Sequence, residues 1–260
     1  MKYLALFLLS SKLIFASIDS DFDGVIDEND NCPDTLFSDL VDASGCRVLP
    51  IHKFDFVIGV AFSQLDKNRF DVDDTVYKSY QIDYSYKNFT AFLSTSTYKN
   101  DENDGFNDTT LGLYYQFFTV DDFILTSGVE TIFPTYKSGL KNEAIDYAIS
   151  LELQYVCEQF SIFNRARYTL IKDSDVDEIT YQNTKEYTIG VGYYFETLLY
   201  SGLSYNYSNT IYKDIESIEN ISLNIYYELD EHFFITSDYS YGLSYSASDN
   251  FISLSVGYNF

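Results

Sequence analysis

The chain has 260 residues and a formal net charge of −24, from 16 Lys and Arg against 40 Asp and Glu. That balance excludes a nucleic-acid partner, which needs a basic footprint, and disfavours docking onto an anionic lipid surface. Tyr and Phe number 26 and 22, Trp is absent and Pro occurs 3 times, which suits pleated, half-buried strands better than helices. Acid-rich connections can attract divalent cations; the blander reading is that they keep an apolar-sided chain soluble before insertion.

At the N-terminus Lys2 precedes an apolar run from Tyr3 to Leu9 that continues through Leu13, Ile14 and Phe15 to Ala16. Residues 1–16 are expected to be a signal peptide cleaved after Ala16, although Ile14 at the −3 place and Lys12 inside the run depart from the usual pattern. The run is too short and too interrupted to span a bilayer as a helix. The expected cleavage site is not followed by Cys, so a lipoprotein anchor is not indicated. Export places the chain in an oxidising compartment, where disulfides persist.

Residues 17–50 form the next expected unit, which opens on Asp19-Ser20-Asp21-Phe22-Asp23-Gly24-Val25-Ile26-Asp27 and runs on to Asp30-Asn31-Cys32-Pro33. Ca²⁺ prefers six to eight oxygen ligands in a flexible shell. Carboxylates at alternate places (Asp19, Asp21, Asp23) can converge on one ion, and Gly24 permits the sharp turn between them. The Val25 carbonyl, Asp27 and Asp30 complete the set. The spacing is that of an EF-hand loop, but amphipathic flanking helices are lacking. Together with Val41-Asp42-Ala43-Ser44-Gly45-Cys46, the stretch resembles a thrombospondin type 3 repeat, in the form found beside OmpA-like outer-membrane proteins. The resemblance covers about residues 19–47. It implies that the aspartates bind calcium and that Cys32 pairs with Cys46. Such a disulfide closes a loop of about 15 residues, worth roughly 3 kcal/mol. The competing reading is an acidic linker with accidental spacing.

From Pro50 the sequence changes character, and residues 51–260 alternate apolar and polar side chains in segments of about ten, the pattern of a transmembrane barrel. In the first segment Phe54, Phe56, Ile58, Val60 and Phe62 share one parity. Further on, Ile145, Tyr147, Ile149, Leu151, Leu153 and Tyr155 oppose Asp146, Ala148, Ser150, Glu152 and Gln154. Then Tyr187, Ile189, Val191, Tyr193 and Phe195 oppose Glu186, Thr188, Gly190, Gly192 and Glu196. Tight connections are expected near Lys87-Asn88, Val120-Asp121, Glu158-Gln159, Glu196-Thr197 and Asp230-Glu231. Longer polar ones fall near 65–74, 100–108, 134–143, 172–184, 209–217 and 244–249. Short and long connections alternate, as periplasmic turns and outer loops do in bacterial barrels. The expectation is an all-β chain: an antiparallel transmembrane barrel of about twelve strands, or ten if two weak segments merge, with both ends in the periplasm.

The last segment, Ile252, Leu254, Val256, Tyr258 and terminal Phe260, resembles the C-terminal signal read by the bacterial barrel-assembly machinery. Cys157 ends an alternating strand and reads as a buried or lipid-facing structural thiol, since basic partners to lower its pKa are not near in sequence.

Barrel enzymes resembling phospholipases, deacylases and surface proteases rely on histidine near the outer face. Here His52 precedes the first segment and His232 follows a short turn, so an enzyme is not expected. His232 is assigned to the interfacial belt with Phe233 and Phe234. On the inward parity, a two-residue turn at Glu158-Gln159 sets Glu152 opposite Arg165 and Ser150 opposite Arg167. Asp83, Glu130, Glu186, Glu196, Glu228 and Asp238 also read as inward acids. Two readings follow for this charge network: the arginines, held by acids, help fill a narrow barrel, or the acidic wall makes a cation-favouring pore. The functional expectation is a narrow porin-like channel in the outer membrane, with outer-membrane lipid and the assembly machinery as its partners. The alternative is a non-conducting structural or adhesive protein.

Overall fold

The computed structural model describes residues 19–21, 25–33, 35, 41, 44–46, 52–65, 74–117, 123–136, 143–176, 179–196 and 198–260. The chain divides into two compact units, Met1–Leu49 and Pro50–Phe260. The signal peptide expected at residues 1–16 lies outside the described residues.

In the first unit Cys32 and Cys46 form a disulfide. Short bonds lace the loop it closes. The Asn31 N–H donates to the Ser44 carbonyl at 2.8 Å. The Thr35 hydroxyl lies 2.8 Å from the carbonyls of both Cys32 and Gly45. A segment this small buries little apolar surface, so the cross-link and these bonds are its main sources of order.

The second unit is all β. Its strands are β1 (Lys53–Gln64), β2 (Thr75–Tyr86), β3 (Phe89–Lys99), β4 (Asp104–Phe106), β5 (Thr109–Phe117), β6 (Phe123–Phe133) and β7 (Asp146–Cys157). They continue as β8 (Phe160–Leu170), β9 (Thr184–Glu196), β10 (Leu199–Ser208), β11 (Ile218–Glu228), β12 (Phe233–Gly242) and β13 (Asn250–Asn259). Twelve of them make one closed antiparallel barrel, each paired with its neighbours in the chain, with β1 on β13 as the closing seam. The twelve-strand expectation therefore holds. The sequence did not reveal β4, a three-residue ribbon inside the connection expected at 100–108. It pairs with the end of β3, from Thr97 to Lys99, beyond the stretch of β3 that pairs with β5.

Alternation decides what faces where. On β7, Ile149 is 60% exposed and its neighbour Ala148 only 3%. The apolar parities of the first, middle and last segments all lie on the outside of the barrel, where an apolar surface this continuous is stable only against lipid. Aromatic pairs ring the end with short connections: Phe89 with Tyr115 at 4.6 Å, Phe123 with Tyr155 at 4.7 Å, Phe160 with Tyr193 at 4.8 Å and Phe233 with Tyr258 at 4.9 Å between ring centroids. Phe260 continues this girdle against Phe54 at 5.3 Å. Such girdles mark the level where hydrocarbon gives way to headgroups. Cys157 is exposed on the same outer parity.

The short connections follow from local geometry. Tyr86 pairs with Phe89 and Cys157 with Phe160, so two residues make each turn. Lys87 and Glu158, the first residue of each turn, adopt φ of 54° and 51°. Left-handed backbone there matches the twist of the flanking strands. Between β11 and β12, Asp230 accepts the N–H groups of His232 and Phe233 at 2.8 Å each, and these bonds hold its carboxyl below the usual carboxylate range. The turn expected at Val120-Asp121 lies outside the described residues.

Glu158→Gly should raise the unfolding free energy by about 0.5–1 kcal/mol, since a side chain at positive φ costs more than the glycine's extra unfolded entropy. Glu158→Pro should lower it by more than that, because proline fixes φ near −65°. Urea unfolding of detergent-folded protein measures both, and equal midpoints for the two variants would refute the turn assignment.

Candidate functional site

The lumen holds the side chains of the second parity, and its charges concentrate on β6 to β9. Arg167 stands on β8, with Ser150 of β7 and Glu186 of β9 directly beside it in register. Its guanidinium donates to Glu186 Oε1 at 2.5 Å on one side. On the other it reaches across β7 to Glu130 Oε2, at 3.0 Å from Nε and 2.6 Å from Nη2. That reach is possible because the residues it passes over, Ala148 and Ser150, are small and buried. Glu130 is 6% exposed, and its second oxygen accepts the Tyr114 hydroxyl at 2.6 Å. Both carboxylates thus meet their counter-charge at hydrogen-bonding distance, as a buried ion pair requires.

Arg165, two residues earlier on the same face, is placed differently. Glu152 is its direct cross-strand partner, but the carboxylate oxygen stands 4.0 Å from Nε. Both side chains are 42% exposed to the lumen. The contact at hydrogen-bonding distance is to a neutral group, the Tyr114 hydroxyl, at 3.1 Å from Nη2. Arg165 borders three free spaces of about 300, 450 and 450 Å³, and it is the residue that all three share.

The rest of the wall is polar or flat. A ladder runs around it from Thr188 to Asn206 at 2.9 Å, from Asn206 to Asn220 at 2.8 Å and Ser222 at 2.9 Å, and from Ser222 to Ser240 at 2.8 Å. Asp238 is held by Asn224 at 2.5 Å and Ser253 at 2.8 Å. Lumen aromatics lie against glycines on neighbouring strands: Phe92 on Gly112, Tyr114 on Gly128, Phe163 on Gly190 and Phe234 on Gly257. A Cβ at Gly112 would stand 2.0 Å from Phe92 Cε1, so any larger residue would drive that ring off the wall and into the open space. Toward the short-turn end, Asp55 and Asp83 face each other in register, with Lys53 3.4 Å from Asp55.

The residues proposed from sequence fall into place unevenly. Glu152 opposes Arg165 and Ser150 opposes Arg167, as the two-residue turn dictated. The strong bridges, however, run from Arg167 to Glu130 and Glu186, not from Arg165 to Glu152. Tyr114, which links the two arginines through Glu130, was not singled out. Its signal was its inward parity two residues beyond Gly112. Glu130, Glu186 and Asp238 share the inward face as expected, while the Glu196 side chain lies outside the described residues. His232 stacks on Tyr258 at 5.5 Å and Phe233 points outward, but Phe234 turns into the lumen over Gly257 instead of joining the outer belt. His52 is exposed ahead of β1.

In the first unit Asp19, Asp21, Val25, Asp27 and Asp30 are described, and Asp23 lies outside the described residues. Asp27 accepts Ser20 through both oxygens, at 2.8 Å from the amide and 2.7 Å from the hydroxyl. One oxygen of Asp21 accepts the Thr35 N–H and one of Asp30 the Cys32 N–H, each at 2.8 Å. The remaining oxygens, Asp21 Oδ1 and Asp30 Oδ2, are buried without a hydrogen-bond partner. Among the described residues, groups of three or more acidic, His or Cys side chains that could hold a metal do not occur.

Family models and curated proteins alike yield no match to this sequence. Solved structures do. The chain superposes on an outer membrane channel from Pseudomonas putida F1 with a TM-score of 0.60 at 13% identity, covering 85% of this chain and 100% of that one. It is similar to the NanC porin at a TM-score of 0.57 and 13% identity, over 78% of this chain and 98% of the porin. The KdgM porin in complex with disordered oligogalacturonate gives 0.53 at 15% identity, over 80% and 99%. At such identity the likeness is one of fold, and that fold is the outer-membrane β-barrel.

Removing Arg167 strands Glu130 in a site that is nearly closed to water. Arg167→Ala should therefore cost about 3 kcal/mol, and Arg165→Ala less than about 1 kcal/mol, both read from urea midpoints. A larger loss for Arg165 than for Arg167 would overturn the division of roles.

Proposed function

We propose that the chain is a narrow porin-like channel of the bacterial outer membrane. The observation that carries this reading is the lumen. Its side chains are mostly polar, or aromatic and packed against glycines, and they leave free spaces along the wall where a packed apolar core would otherwise stand. Acids outnumber bases on that wall, with Asp55, Asp83, Glu130, Glu152, Glu186 and Asp238 against Lys53, Arg165 and Arg167, so small cations are the favoured permeants. The porins and channels that share the fold support a passive conduit over an enzyme. The aromatic girdle at the short-turn end supports outer-membrane lipid as its surroundings, and the outward apolar row of β13 at Ile252, Leu254 and Val256 supports the assembly machinery as its route there. In this reading the short turns and the N-terminal segment lie in the periplasm. Purified protein in planar bilayers should give small, cation-favouring conductance steps; persistent silence at several protein densities would favour the structural or adhesive alternative.

For the first unit we propose a thrombospondin type 3-like calcium repeat, held by Asp19, Asp21, Asp23, the Val25 carbonyl, Asp27 and Asp30. The unpartnered buried oxygens of Asp21 and Asp30 favour it, since hard oxygen donors shut away from water need a cation or a donor. Bound calcium would neutralise these carboxylates and stiffen a segment that buries little apolar surface. Chelation with EDTA should expose residues 17–50 to limited proteolysis and leave the barrel intact. Identical cleavage with and without calcium would count against the site.

A further inference from the structure

We propose that Arg165 is the residue that sets ion selectivity in this channel, and that Arg167, one pleat away, serves only to hold the wall. The inference rests on the channel reading and goes beyond it. The two arginines share a strand and a face but differ in what surrounds them. Arg167 is 18% exposed and spends its donors on two carboxylates, at 2.6 Å and 2.5 Å. A passing ion meets that charge already neutralised. Arg165 is 42% exposed, its cross-strand carboxylate stands 4.0 Å away, and its hydrogen-bonding partner is the neutral Tyr114 hydroxyl.

Arg165 borders all three free spaces, so an ion in any of them lies within reach of its guanidinium. Glu152, Thr188 and Phe92 border the same passage. A guanidinium stays protonated at any pH the protein meets, so its charge is permanent. One unit charge about 5 Å from the path, at a dielectric close to that of bulk water, changes cation passage on the order of four- to tenfold. Arg165 therefore opposes the cation preference that the wall's acids impose and is the position where that preference is tuned.

The test alters the charge after folding, so that assembly cannot confound it. Arg165→Cys, in a background where the exposed Cys157 is replaced by Ala, is reconstituted in bilayers under a KCl gradient. A cationic methanethiosulfonate reagent should return the potassium-to-chloride permeability ratio towards that of the parent. An anionic one should raise it on the order of fivefold. Arg165→Lys should resemble the parent, and Arg167→Lys should leave the ratio unchanged. Permeability ratios that do not move with the reagent's sign, in channels that conduct, overturn the assignment to Arg165 while leaving the channel reading intact. A parent protein that never conducts removes the channel reading and this assignment together.

Discussion

Closure of the sheet is the constraint on which everything else depends. In hydrocarbon an unpaired backbone N–H or C=O costs several kcal/mol, and an open sheet presents a whole row of them. Pairing β1 with β13 along ten residue pairs, from Asp55–Asn259 to Gln64–Asn250, removes both edges at once. The Phe260 N–H extends the seam by donating to the Phe54 carbonyl at 2.9 Å. Once the ring is closed, each side chain has two places to go. A one-residue slip would turn the three phenylalanines of β1 inward and Ser63 outward, so register is fixed by the solvents on the two sides.

Closure also sets the chemistry of the lumen. Side chains that point into a narrow ring compete for the same space, and this wall resolves the competition by alternating large and small. Rings lie on glycines, and the Arg167 guanidinium crosses over Ala148 and Ser150 to reach a strand it does not pair with. The bridge from β8 to β6 thus depends on what β7 lacks. It binds three strands into one rigid arc, and it buries Glu130 under Tyr114, where a lone carboxylate could not remain ionised.

Sequence reasoning reached the parts of this arrangement that are local. The alternation gave strand number and facing, and Glu158-Gln159, as a two-residue turn, gave the β7–β8 register to the residue. Glu152 opposite Arg165 followed from counting alone. The bridge to Glu130 did not, because it needs the β6–β7 register, and residues 134–145 are too long a connection to fix one. Cross-strand proximity was also a poor guide to strength. Arg165 and Glu152 are directly opposed, yet both lean into the lumen, whereas Arg167 finds its second partner two strands away. The ribbon β4 was illegible because three residues carry too little alternation to be told from a loop. The Cys32–Cys46 disulfide came from resemblance, since cysteine spacing alone does not determine connectivity.

The charge on the lumen wall is best understood by where it is accessible, not by its sum. Glu130, Glu186, Arg167 and Arg165 together cancel. Their arrangement does not, because the carboxylate of Glu130 is buried behind its counter-ion and the Arg165 guanidinium is turned to the open space. Toward one end of the barrel, Asp55 and Asp83 oppose each other as like charges, and Lys53 at 3.4 Å from Asp55 and the Gln81 amide donating to Asp83 offset the repulsion. A cation on the proposed path is therefore drawn by the exposed carboxylates of Glu152 and Glu186 and meets one exposed base, Arg165, beside them. Attraction and resistance side by side let an ion enter without being held, which conduction requires of any narrow pore. In this reading the buried bridge keeps the wall in shape, and the side chain left outside it determines what passes.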